Sequence, residues 1–218
     1  HTHTHTKHTC KKKQMEQDDR TPLHRASSNG QIALVRKLVQ DGAIIDCRDE
    51  MEWTPLIIAS SAGHKDIVEY LVNKGADVNA ATVNGQRAIH YAASKGWLDI
   101  CHYLIDSGAI VDVRDRLKQT PLHRAVARGH EDIVKYFLTL SNIPINASDM
   151  VGNTPLHLAC EEECESIIKL LIQSGANIDS INEDKKQPID LCTDHSFQRS
   201  IRNFMANHHQ QQQQKPIK

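Results

Sequence analysis

Fourteen histidines and six cysteines are the side chains here with intrinsic chemistry, since imidazole titrates near neutral pH and thiolate both ligates and attacks. Spacing decides whether that chemistry is available. Cys10, Cys47, Cys101, Cys160, Cys164 and Cys192 form no C-x-x-C pair, and the chain has no H-E-x-x-H, no G-x-S-x-G and no glycine-rich phosphate loop. Zinc-hydrolase, serine-hydrolase and phosphate-transfer chemistry therefore lack their usual frames. The cysteines are expected to be reduced structural thiols. His1, His3, His5 and His8 alternate in a threonine-rich leader, where they could collect a divalent ion but not fix its geometry. His24, His90, His123 and His157 each end one recurring phrase, and His64 and His130 each follow a glycine. Such regular placement points to structural hydrogen bonds. No catalytic residue, cofactor or metal site is assigned.

The phrase is Thr-Pro-Leu-His, at Thr21–His24, Thr120–His123 and Thr154–His157, with edited copies at Thr54–Ile57, Arg87–His90 and Gln187–Asp190. Successive starts lie 33, 33, 33, 34 and 33 residues apart, and a period of about 33 with this wording is the ankyrin signature. Within a unit such as Asp49 to Val78, Thr54 caps and Pro55 opens an inner helix, Gly63 ends it, and Ile67, Val68, Leu71 and Val72 recur at outer-helix spacing. The turn-rich segment after Gly75-Ala76 reads as a protruding hairpin finger. The expected fold is all-α: a solenoid of about six helix-turn-helix repeats with β-hairpin fingers. The fourth repeat carries Phe137-Leu138-Thr139-Leu140-Ser141-Asn142 in place of the Gly-Ala ending, which predicts a distorted outer-helix end with Asn142 as left-handed cap.

The sequence divides into a disordered His/Thr- and Lys-rich leader (1–15), a repeat domain (16–206) and a disordered Gln-rich tail (207–218). The first repeat is expected to cap its own stack, and the polar stretch Phe197 to Phe204 to cap the other end. With 26 basic against 27 acidic residues, the charge excess that nucleic acid demands is missing. No apolar run reaches the ~18 residues of a membrane span. Sequence alone thus suggests a cytoplasmic protein, with Lys11-Lys12-Lys13 read first as a solvated basic arm and otherwise as a weak nuclear address, that is monomeric without its partner and binds neither nucleic acid nor membrane.

Stacked repeats build an extended surface, and finger tips and inner-helix ends are where it grips. By register the binding candidates are Arg20, Glu50, Met51, Trp53, Ser94, Lys95, Arg116, Arg128, Glu161 and Glu162. They are charged in blocks, acidic towards both ends and basic between, with Trp53 and Met51 as apolar anchors. Leu158, Cys160 and Glu162 spell L-x-C-x-E, a motif that retinoblastoma-type pocket proteins read in extended form; here it falls in an inner helix and is expected to be packed away.

Several stretches go beyond generic repeat wording: Trp53 before Thr54-Pro55-Leu56, Ile89 to Lys95, His123-Arg124-Ala125, and Gly152 to Glu163 with its acidic run. In these, from about Asp18 to Leu191, the chain resembles the gankyrin family, ankyrin-repeat assembly chaperones of the proteasome regulatory particle. The resemblance implies a non-catalytic scaffold that binds the C-terminal domain of a proteasome base ATPase subunit. It implies that Arg20 and Lys95 meet acidic partner residues, and that Glu50 and Asp18 meet partner arginines. The histidine-threonine leader stands where the family has its first helical repeat. The alternative is a generic ankyrin adaptor for another client, such as a cell-cycle kinase or a ubiquitin-ligase substrate.

Overall fold

The computed structural model describes residues 19–213, with side chains through 206. The leader and Asp18 lie outside the described residues, as do residues 214–218 of the expected tail. Five helix pairs follow one another: α1 (Pro22–Ser28) with α2 (Ile32–Gln40), α3 (Pro55–Ala62) with α4 (Lys65–Asn73), α5 (Ala88–Lys95) with α6 (Leu98–Asp106), α7 (Pro121–Val126) with α8 (Glu131–Leu138), and α9 (Pro155–Glu161) with α10 (Glu165–Gln173). A 3-10 turn (Pro188–Leu191) and α11 (His195–Gln213) complete a sixth unit. Inner helices stack on inner helices and outer on outer.

The phrase earns its recurrence at the helix starts. Thr21, Thr54 and Thr120 cap by accepting the amide three residues on. In four units the histidine answers: the amides of Thr21, Arg87, Thr120 and Thr154 donate to the Nδ1 atoms of His24, His90, His123 and His157 at 3.1–3.2 Å. An amide can only donate, so each Nδ1 is unprotonated and the proton sits on Nε2. That Nε2–H then donates across to the next repeat, to the carbonyls of Trp53, Gln119, Asn153 and Lys186 at 2.9–3.2 Å. Each neutral ring thus caps one helix and ties two repeats.

A second ladder runs through the inter-helix turns. Gly63 is left-handed at φ 85, and a Cβ there would come within 2.6 Å of the Trp97 ring. Ring N–H groups of His64, Trp97 and His130 donate to the carbonyls of Ser28, Ser61 and Ser94, closing the end of the preceding inner helix. In the fifth repeat the left-handed position is Glu163, at φ 51. Its carboxylate accepts the amides of Thr193 and Asp194 and the Thr193 hydroxyl, which offsets the strain a side chain suffers there.

Leu23, Leu56, Ile89, Leu122 and Leu156 form the inner seam, each at most 1% exposed, with Val35, Val68, Cys101, Val134 and Ile168 behind them. Phe137 fills the fourth layer completely. Cys101, Cys160 and Cys192 are buried, and the five described cysteines are unpaired in disulfides. Burial pushes the Cys101 thiol up to about 12, which removes its nucleophilicity at neutral pH.

Four expectations are corrected or refined. The fingers are tight loops rather than strand hairpins: among the described residues the only ladder element is the bridge between Ala81 and Arg87. Asn142 is not left-handed; α8 instead closes through the amides of Thr139 and Leu140 bonding Tyr136 and Phe137 carbonyls three residues back. The first repeat keeps an apolar outer face among the described residues, with Leu34 at 41% exposed where its equivalents Ile67 and Ile100 are buried, and Ile44 at 74% exposed after α2. Last, α11 continues past Met205 to Gln213.

Candidate protein-binding face

Each finger is built around one side chain that lies five residues before the phrase. Asp49 Oδ1 accepts the amides of Met51 and Trp53, Asp115 those of Leu117 and Gln119, and Asp149 those of Val151 and Asn153, at 2.8–3.0 Å. Asn182 does the same for Lys186. These Asx turns hold the loop without a strand. The second oxygen reaches back one repeat: Asp49 to Arg20 at 3.1 Å, and Asp115 to Gln86 and Asp149 to Gln119 at 3.5 Å. Asp115 also pairs with Arg124 at 2.5 Å. Burial alone would raise the Asp115 carboxyl, but Arg124 and the Gln119 amide hold it below its ordinary value.

Finger joins finger through backbone as well. Val83 donates to Met51, Arg116 to Asn84, Met150 to Leu117 and Glu183 to Val151, at 2.9–3.1 Å. The tips therefore form one continuous ribbon. Its crest residues are held in the left-handed region, with Gly85 and Gly152 in two fingers but Glu52, Lys118 and Lys185 in three. A side chain there costs ~1–2 kcal/mol.

The second finger departs from the rule. Thr82 stands where the others carry Asp or Asn, so no carboxylate receives the amides of Asn84 and Gln86. The Thr82 hydroxyl is buried without a hydrogen bond of good geometry. Trp53 fills the junction instead, its ring 4.5 Å from that of Tyr91, whose hydroxyl donates to Gln86 at 2.5 Å. Replacing Thr82 by Asn should rebuild the loop bonds and stabilise the protein by about 1 kcal/mol, read as a higher urea midpoint at unchanged slope.

The residues singled out by register are not equivalent once placed. Arg20 is half-buried against Asp49. Trp53, expected as an exposed anchor, is half-buried on Tyr91. Glu50 and Met51 are exposed on the first tip and Arg116 on the middle one. Lys95, Arg128, Glu161 and Glu162 are exposed at successive inner-helix ends, with Ser94 half-buried beside Lys95. Lys95, Arg116 and Arg128 make no ion pair among the described residues. Leu158 and Cys160 are buried in α9 at 8% and 0% exposure, so the L-x-C-x-E stretch is packed away in this fold. Tyr91, Trp97 and the Asp115–Arg124 pair carry structural duties that register alone did not single out, although the carboxylate five residues before the phrase was legible as a repeat.

A cleft of about 350 Å³ lies between the second and third fingers, lined by Asn84, Gln86, Asp115, Arg116, Leu117 and Arg124. Among the described residues no group of three or more His, Cys, Asp and Glu could hold a metal ion. No described helix is long and apolar enough to cross a membrane.

Fold and face together define a repeat scaffold that recognises macromolecules over a surface. The sequence comparisons agree: residues 3–82 match ankyrin repeats (3 copies), 89–138 ankyrin repeats (many copies) and 151–183 a single ankyrin repeat. The chain belongs to the ankyrin-repeat family. It is similar to ankyrin repeat and SOCS box protein 5 of Bos taurus, 40% identical over 45 residues that cover 21% of this chain and 14% of that protein. It is also similar to protein fem-1 homolog A of Homo sapiens, 39% identical over 46 residues covering 21% of this chain and 7% of that protein.

Proposed function

We propose that the chain is an assembly chaperone of the proteasome regulatory particle in the manner of gankyrin, holding the C-terminal domain of a base ATPase subunit without bond chemistry. The supporting observation is the basic centre of the face. Lys95 and Arg128 stand exposed at consecutive inner-helix ends, with no ion pair among the described residues, between acidic Glu50 on one side and Glu161 and Glu162 on the other. A partner with acidic residues in register would be steered in and held there. Occupying the ATPase domain blocks its docking on the proteolytic core until assembly displaces the chaperone, in the cytoplasm and, on this reading, the nucleus.

The test reverses charge at Lys95→Glu and Arg128→Glu together. These positions hold no ion pair among the described residues, whereas Arg20 braces Asp49 at 3.1 Å and its reversal would also disturb the fold. Leaving a partner charge unpaired costs about 2–5 kcal/mol, so base ATPase subunits should co-purify with wild type and disappear with the double variant at unchanged melting temperature. Their absence from the wild-type eluate would turn the assignment to an adaptor for another client.

A further inference from the structure

We propose that the finger ribbon receives one amphipathic α-helix of about 20 residues from the partner, apolar along a single stripe and acidic at its middle. The inference rests on the reading of the finger side as the partner face, and not on which partner that is.

Large apolar side chains belong at tips only at a solvation cost, yet the tips carry a row of them. Met51, Leu117, Met150 and Val151 are 48–50% exposed, with half-buried Val83 between the first two. The fingers that bear them are joined tip to tip by backbone hydrogen bonds, so the row is one ridge rather than scattered residues. An exposed apolar row of this kind marks an interaction surface.

The geometry selects a helix. Neighbouring stacked helices lie roughly 8–10 Å apart, and one heptad of α-helix rises about 10.5 Å. An apolar residue once per heptad therefore meets successive fingers along one stripe. An extended strand, alternating faces at about 3.3 Å per residue, would not keep that register. Three finger steps from Met51 to Met150 correspond to about 30 Å, or about 20 helical residues. The cleft of about 350 Å³ beside Leu117 and Arg116 is placed to take the central apolar side chain.

Charge sets the orientation of chemistry along the helix. Arg116 and Lys118 are exposed on the middle finger and make no ion pair among the described residues. Glu50 lies on the first tip; beyond Met150, on the last tip, exposed Glu183 and Asp184 are offset by exposed Lys185 and Lys186. Lys118 keeps its charge at a left-handed position, φ 57, where Gly85 and Gly152 serve other fingers. A complementary helix is acidic where it crosses the middle finger and basic at the end over Glu50, and lysine at both ends meets this in either direction of docking.

Two fluorescent 21-residue helical peptides make the test, both with leucine once per heptad, one with lysine ends and a glutamate centre, the other with those charges exchanged. Wild-type chain should bind the acidic-centre peptide at least tenfold more tightly than the exchanged one by anisotropy, with the peptide becoming more helical. Leu117→Ser with Met150→Ser should weaken binding at least tenfold, and Arg116→Glu with Lys118→Glu should reverse the preference between peptides. Equal binding of the two peptides, or indifference to either pair of substitutions, overturns the ridge. Capture of the ATPase domain separates this from the proposed function: capture unaffected by Leu117→Ser with Met150→Ser leaves the chaperone reading standing and removes the ridge from it. Tight, tip-dependent peptide binding without ATPase capture does the reverse.

Discussion

Acidification from pH 7 to pH 4 is expected to remove about 3 kcal/mol of folding stability through His90 alone. Its ring is 1% exposed, and burial, against the opposing pull of Asp115 and the Gln119 carbonyl, lowers its pKa from 6.5 to about 4. The geometry agrees, because Nδ1 is already committed to the Arg87 amide at 3.2 Å and cannot take a proton without breaking the cap. Below 6.5 the unfolded ring is protonated and the folded ring is not, so the unfolded state binds more protons and stability declines as the pH is lowered. The loss starts near 6.5 and levels off near 4; at ~1.4 kcal/mol per pH unit it amounts to about 3 kcal/mol. His123 and His157 are lowered mainly by burial too and act in the same direction. His24 differs: burial lowers it, but the Cys47 sulfur and the Trp53 carbonyl raise it overall, while its Nδ1 accepts the Thr21 amide at 3.1 Å so that a proton there breaks the same cap, and the two effects oppose. Asp115, held below its ordinary 3.8 against burial by Arg124, acts only in a lower window. Urea midpoints at pH 7, 5.5 and 4 should show the decline. His90→Gln should flatten it, because glutamine at this position can still reach back to the cap amide but does not titrate. The variant should lose about 1 kcal/mol at pH 7 with the bond to Gln119. A slope as steep as wild type in that variant would remove His90 from the account.

The repeat rhythm reveals helix starts because Thr-Pro at a helix entry and Gly at its exit act through local backbone geometry, which is written in adjacent residues. Exposure is legible to the same depth: the register locates Lys95, Arg116 and Arg128 on the solvent side. What the register conceals is pairing between repeats. Trp53 reads as an exposed anchor because it precedes Thr54-Pro55, and only the stack brings Tyr91 under it at 4.5 Å. Arg20 reads as a partner contact because the carboxylate it meets, Asp49, is 29 residues away. Among the described residues the absence of strands follows from finger length, since each loop closes when one amide bonds the carbonyl four residues on, as Thr82 to Gln86 and Asp115 to Gln119, with an Asx side chain added in every finger but that of Thr82. The end of α8 eluded the reading because Asn142 tolerates a left-handed turn without requiring one, and two tighter turns at Thr139 and Leu140 satisfy the carbonyls first. Glutamine is a good helix former, so continuation of α11 to Gln213 follows once its upstream turns are packed by Ile201 and Met205.

Phe137→Ala should cost about 3–5 kcal/mol and, more tellingly, split one unfolding transition into two. Phe137 is fully buried at 0% exposure in the layer whose outer helix ends without a Gly-Ala turn. Solenoid stability is a sum of repeat terms and nearest-neighbour interfaces, so a cavity in the fourth layer weakens the coupling between the repeats on either side more than it weakens either block. The chain carries its own reporter: its two tryptophans, Trp53 and Trp97, both precede Phe137. Tryptophan fluorescence therefore follows the N-terminal block while far-ultraviolet circular dichroism follows all helices. In wild type the two urea curves should superpose. In the variant the dichroism should begin to fall at lower urea as α9 to α11 melt, with the fluorescence midpoint changed less. Superposed curves that merely shift together would mean that the interfaces outweigh the cavity and the array remains one cooperative unit. Separation would carry a functional corollary, because Lys95 and Arg116 would stay on folded repeats while Glu161 and Glu162 leave the face. A partner that needs both blocks of charge would then be released at a urea concentration where half of the scaffold is still intact.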